Sequence, residues 1–156
     1  MRTLLLLVCL SAVFTACAQS RNGIQKTYAY FKVSTPGNIP VDENGNPLKR
    51  DDTVRVIYIE SAAKPLVQSV QYPGKLYTAS VFAEEKSPVV VGKQNNGNIT
   101  IQPSVKTNKI WRVELTPAGF GKASRANMIV LKGTRSGKTF SQEIKSETEL
   151  ASPIHM

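Results

Sequence analysis

The chain has 156 residues with 20 basic and 11 acidic side chains, a formal net charge of +9, two cysteines and one histidine. Both cysteines, Cys9 and Cys17, fall in the first seventeen positions, which leaves the rest without a disulfide, a thiol nucleophile or a thiolate metal site. The charges are dispersed, with Lys49-Arg50 the only basic doublet, which speaks for a solvated surface and against a nucleic-acid-binding run.

The chain opens on Arg2, an apolar run from Leu4 to Phe14 broken only by Ser11, and then small residues. A charged start, a short apolar stretch and a small-residue cut are the parts of an export leader. The run falls short of the roughly 20 apolar residues that span a bilayer. Two cuts compete. Ala16-Cys17-Ala18 reads as an A-x-A site, so that the mature chain starts at Gln19. Alternatively, Phe14–Cys17 resembles a bacterial lipobox, with Phe14 where leucine is usual, and Cys17 becomes a lipidated first residue. Residues 1–18 are therefore expected as the signal peptide, 19–25 as a short tether, 26–146 as one domain and 147–156 as a polar C-terminal tail. The mature chain of about 138 residues is long enough to bury a core by packing alone.

The predicted elements are short strands. Lys26–Ser34 is aromatic and β-branched and stops at Thr35-Pro36-Gly37. Val41–Arg50 reads as a hairpin or loop around Asn44-Gly45, a favoured two-residue turn in which both positions need positive φ. Val54–Glu60 is apolar on both faces and is expected to be central and covered twice. Leu66–Tyr72 and Lys75–Ala83 flank Pro73-Gly74 as a second hairpin, with Tyr77, Ala79, Val81 and Ala83 on one face. Pro88–Gly92 and Ile99–Gln102 flank an Asn- and Gly-rich turn. Lys109–Leu115 alternates, with Trp111, Val113 and Leu115 inward and Arg112 and Glu114 outward. A Gly-containing loop over Thr116–Arg125 leads to a last hairpin, Asn127–Lys132 with Lys138–Lys145. No segment holds a period of about 3.6 for ten residues. Eight or nine strands of this kind indicate an all-β fold, expected as an antiparallel Greek-key β-sandwich, Ig-like or transthyretin-like.

Val41–Leu48 (VDENGNPL), followed by the Val54–Ile59 strand, resembles the opening hairpin of the carboxypeptidase regulatory-like, transthyretin-like β-sandwich domains of exported bacterial proteins. The resemblance implies a sandwich and no activity.

Four near-motifs are explained by turns and connections. Lys132–Thr139 imitates a phosphate loop, but its glycines, Gly133 and Gly137, have three residues between them where four are needed, and a strand follows where a helix should. Ser61-x-x-Lys64 imitates a serine–lysine pair, yet Pro65 opposes the required helix. Asp42, Asn44 and Asn46 have calcium-loop spacing without the glycine or the closing glutamate. Asn98-Ile99-Thr100 has the form of a glycan acceptor, which a bacterial leader makes irrelevant. The single histidine, His155, stands next to the C-terminus, and the acid pairs Asp51/Asp52 and Glu84/Glu85 sit in turns beside lysines. No catalytic residue, metal ligand or cofactor is therefore assigned.

Binding is better supplied. Tyr28 and Tyr30 share one face of the first strand. Either they point outward and stack on a sugar or a partner, or a loop covers them. With Lys32, Arg55 and Arg112 they form the candidate ligand-binding set. The reading is a non-enzymatic accessory or structural domain of the cell envelope, periplasmic, outer-membrane associated or secreted. It binds a protein partner and meets a membrane through Cys17 if that residue is acylated. The alternative is a glycan- or anionic-polymer-binding module.

Overall fold

A computed structural model describes residues 23–34, 41–46, 52–94, 97–119 and 128–151. Cys9, Cys17, Asp51 and His155, together with the leader, lie outside the described residues. The strands are β1 (Ile24–Ser34), β2 (Asp52–Ser61), β3 (Leu66–Tyr72), β4 (Lys75–Ala83), β5 (Val89–Gln94), β6 (Gly97–Ile101), β7 (Lys109–Gly119), β8 (Ile129–Arg135), β9 (Lys138–Ile144) and β10 (Thr148–Glu149). The all-β expectation holds. Where two facing sheets were expected, eight strands form one curled mixed sheet in the order β10-β1-β2-β7-β4-β3-β8-β9, and β5-β6 form a separate pair.

The curl follows from how the ends meet. β9 and β10, the two outermost strands, are joined by only residues 145–147, and β10 pairs in parallel with β1 at Tyr30–Thr148 and Phe31–Glu149. One face of the sheet is thereby wrapped around a single core of Ala29, Ile57, Ile59, Val67, Val70, Trp111, Val113, Leu131, Phe140 and neighbours. Ile57, Ile59, Val70, Val113 and Leu131 have no measurable exposure. Each such side chain contributes about 1.5–3 kcal/mol when buried.

β-bulges correct the alternation where a strict period of two would turn apolar residues outward. One between Ile24 and Lys26 lets Ile24 and Ala29 reach the same core, and one between Val67 and Ser69 does so for Val67, Val70 and Tyr72. β7 keeps the alternation read from sequence: Trp111 and Val113 are in the inner core, with Leu115 packed against it. The Trp111 indole donates to the Ser61 carbonyl at 3.1 Å.

The outer face carries a second core. β5 and β6 lie over β1, β2 and β7, so that Val89 and Ile101 bury Tyr30, Tyr58 and Ile110 together with Leu150. β2 is thus covered on both faces, as its apolar run implied.

Turn chemistry explains three hairpins. Ser136 and Gly137, at φ 48° and 77°, form the two-residue turn between β8 and β9, the mirror-image geometry that suits the twist of a hairpin. Gly74, at φ 72°, follows Pro73 between β3 and β4. The Asn44-Gly45 expectation needs correction: among the described non-glycine residues only Ser136 has positive φ. Glu43, Asn44 and Gly45 instead form a three-residue loop, with the Gly45 amide bonded to the Asp42 carbonyl at 3.0 Å and the Asp42 amide to the Asn46 carbonyl at 2.9 Å.

The expected polar tail also differs. Leu150 is buried, its amide donates to the Phe31 carbonyl at 2.7 Å, and the Ala151 amide donates to the Lys93 carbonyl at 2.7 Å. Residues 147–151 clasp the second sheet to the first, because one apolar side chain in a polar run is enough to anchor an extended segment.

Candidate functional site

The five binding residues read from sequence are divided between two faces. Strand register sets one outward row across the sheet, Tyr28–Tyr58–Arg112–Phe82. Tyr28 and Lys32 are half-buried on this face. Tyr30 is only 6 % exposed and meets Tyr58 edge-on, with ring centroids 6.0 Å apart. Its place as an open stacking platform is therefore corrected: β5, β6 and Leu150 cover it, as the covered-aromatic alternative held. Burial raises the hydroxyls of Tyr30 and Tyr58 above the ordinary phenol range.

Beyond the edge of that cover, the row opens to solvent. Phe82 is 45 % exposed, with the Arg112 guanidinium 5.8 Å above its ring. Arg112 also pairs with Glu114 at 3.2 Å and lies 3.3 Å from Glu84, the latter without an aligned hydrogen bond from its Nε. A groove of about 520 Å³ begins next to Phe82, along Ala83–Lys86 and Pro88–Val90.

Arg55 points the other way, into one end of the curled sheet. Its Nε lies 3.4 Å from Glu147 Oε2, its Nη1 lies 3.4 Å from the Tyr77 hydroxyl, and its guanidinium sits 4.9 Å from the Tyr72 ring centroid. The Tyr72 hydroxyl donates to Glu147 Oε1 at 2.7 Å, and the Tyr72 and Tyr77 rings meet edge-on at 5.2 Å. Burial first, and the bond to Glu147 second, push the Tyr72 hydroxyl far above the ordinary phenol range. A cavity of about 310 Å³ opens here, lined among others by Arg55, Tyr72, Pro73, Lys75, Lys145 and Glu147. Sequence reading found Arg55 and missed the rest. Tyr72, Tyr77 and Glu147 converge only through the curl and the clasp.

Glu60 is the most buried acid on the outer face. Its Oε1 accepts from the Ser104 amide at 2.8 Å, the Ser104 hydroxyl at 2.7 Å and the Asn108 side chain at 2.9 Å. Burial alone would raise this carboxyl, but the hydrogen bonds from Asn108 and Ser104 outweigh it and hold the group below its ordinary value of 4.5. A depressed carboxyl contributes stability that is present above pH 4.5 and lost as the pH falls through the lower folded value. Glu60→Gln is expected to cost about 2 kcal/mol at pH 7, where the charge-assisted bonds are intact. In urea unfolding, the gap between variant and parent should narrow as the pH falls below 4.5 and close below the lowered folded value; a gap independent of pH would sink this reading.

The near-motifs resolve into ordinary structure. Ser61 is buried and its hydroxyl donates to the Ala63 carbonyl at 2.6 Å, while Lys64 is exposed. Both carboxylate oxygens of Asp42 are used within its own turn by Asn44 and Asn46, whose bonds lower its pKa. Lys132–Thr139 is strand, turn and strand. Asn98–Thr100 lies on β6. Among the described residues, no three His, Cys, Asp or Glu side chains converge on a common point. No protein-family model, curated protein or solved structure matches the chain.

Proposed function

We propose that the chain is a non-enzymatic binding domain of the cell envelope, exported by an N-terminal leader cut before Cys17, that holds a protein partner and is anchored through an acylated Cys17. The observation behind it is the exposed Phe82–Arg112 stack, whose Arg112 lies 3.3 Å from Glu84 on the wall of the groove along Ala83–Lys86 and Pro88–Val90. Aromatic and arginine side chains dominate the energetics of protein interfaces, because both bury much area in a rigid form. We also read the link from β2 to β3, which passes β7 and β4 in the sheet order, as Greek-key in kind.

A photo-reactive phenylalanine placed at position 82 in the native cells tests the partner. One discrete adduct is expected from position 82, at least fivefold weaker with Arg112→Glu, and none from position 139 on the exposed part of β9. Equal labelling from both positions, or none from 82, would overturn it. The intact mass of the exported product reads the anchor: an acylated Cys17 is expected, and a free Gln19 start or an unprocessed cytosolic chain removes it.

A second reading, a glycan- or anionic-polymer-binding module, is supported by the cations around Arg55. It no longer draws on Tyr30.

A further inference from the structure

The cavity at the end of the curled sheet has more positive charge than its own acid can satisfy. Arg55, Lys75 and Lys145 line it against one carboxylate, Glu147. Among the described residues, Lys75 and Lys145 form no ion pair, and Arg55 engages Glu147 only at 3.4 Å. A guanidinium has five N–H donors. The two contacts of Arg55 to Glu147 and Tyr77 are both long, at 3.4 Å, and its side chain is 22 % exposed. Donor capacity is therefore left facing a space of about 310 Å³. Ser146 also lines the cavity, and Tyr72, Pro73 and Ile129 supply an apolar side. The guanidinium also lies over the Tyr72 ring, with Glu147 beside its Nε.

From this we infer that the mouth of the sheet is a receptor for a phosphate monoester, held by Arg55, Lys75 and Lys145. The excess of two positive charges matches a phosphate monoester, which carries about −1.5 to −2 near neutral pH, better than a carboxylate. The planar fork of arginine suits two phosphate oxygens, and lysines add point charges at the rim. The apolar side accommodates the carbon next to the ester oxygen. The inference deepens the anionic-polymer reading by naming the anion, and it stands apart from the Phe82 surface on the opposite face.

The test uses the chain as exported, with sn-glycerol 3-phosphate and inorganic phosphate as free probes, followed by calorimetry and by chemical shifts of Lys and Arg side chains. Binding is expected at low ionic strength, weaker at pH 5.5 than at 7.5 because the second phosphate proton leaves near pH 6. The rim variant Lys75→Gln/Lys145→Gln, which leaves the Arg55–Glu147 pair untouched, should weaken it at least tenfold. Flotation with vesicles separates the sources. Retention on phosphatidic acid above phosphatidylglycerol at equal mole fraction assigns the phosphate to a lipid head group, and any acyl anchor cancels in that comparison. Binding of the free probes without that preference assigns it to a soluble ester. Undiminished binding in the double variant, or no phosphate binding, overturns the inference. Retention on alginate, a carboxylate polymer, without phosphate binding overturns it too, while leaving the broader anionic-polymer reading in place.

Discussion

Gly133→Ala should lower the stability of the domain by about 3 kcal/mol or more, enough to leave a domain of ordinary stability partly unfolded at room temperature. Gly133 is buried in β8 opposite Val67, beside the bulge in β3. A Cβ there would collide with the Leu66 carbonyl oxygen, a backbone atom, and would lie 2.9 Å from the Phe140 ring. Its φ is not in the left-handed region, so the constraint is space alone. A ring can turn aside, whereas a strand carbonyl cannot move without breaking the β3–β8 ladder, the seam that holds β8 and β9 to the rest of the sheet. Phe140→Leu in the same chain should therefore fail to rescue Gly133→Ala. Gly97→Ala, with nothing within 4 Å of the new atom, should change stability by less than about 0.5 kcal/mol. Urea unfolding of the three variants decides the matter. A Gly133→Ala chain as stable as Gly97→Ala would mean that the two strands do not approach this closely.

The elements were legible where local chemistry decides them. Leu66–Tyr72 and Lys75–Ala83 match the expected strands residue for residue, and Lys109–Leu115 alternates inward and outward as its pattern implied. Apolar periodicity is a property of neighbouring residues, so one sequence carries it. What was not legible depends on residues far apart in the chain. Whether strands build two sheets or one curled sheet depends on which edges meet, and here the two-residue β10 decides it by pairing with β1. Bulges at Ile24–Lys26 and Val67–Ser69 add single residues that no periodic template contains. The candidate binding residues suffered from the same limit. Alternation puts Arg55 on one face of β2 and the Tyr28–Arg112 row on the other, so grouping all five joined two surfaces. Glu147 was hidden because a short polar run next to a C-terminus looks like a tail, and only Leu150 marked it as something that must pack.

That clasp gives the other large effect. Ending the chain after Ser146 should cost roughly 4–5 kcal/mol, whereas a solvated tail would cost almost nothing. Three losses combine. Leu150 leaves the second core, where it packs over Gly92, the Leu150 side chain lying 3.1 Å from the position a Cβ would take. Large-to-small changes of this type cost about 2–5 kcal/mol, so Leu150→Ala alone should account for about half of the total. Glu147 no longer meets Arg55 and Tyr72; because Arg55 is 22 % exposed, water compensates part of that loss, and Glu147→Gln alone should cost about 1 kcal/mol. The Leu150 and Ala151 amide bonds to Phe31 and Lys93 disappear as well. The damage should also be local before it is global. Hydrogen exchange in the truncated chain is expected to accelerate across β5, β6 and residues 28–31, which the clasp joins. Amides of the β3–β4 and β3–β8 ladders, which meet it through the Tyr72 side chain and not through their backbone bonds, should keep most of their protection. Uniform acceleration in proportion to the lost stability would show instead that the two cores unfold as one unit. Unchanged exchange would show that residues 147–151 do not hold the second sheet at all.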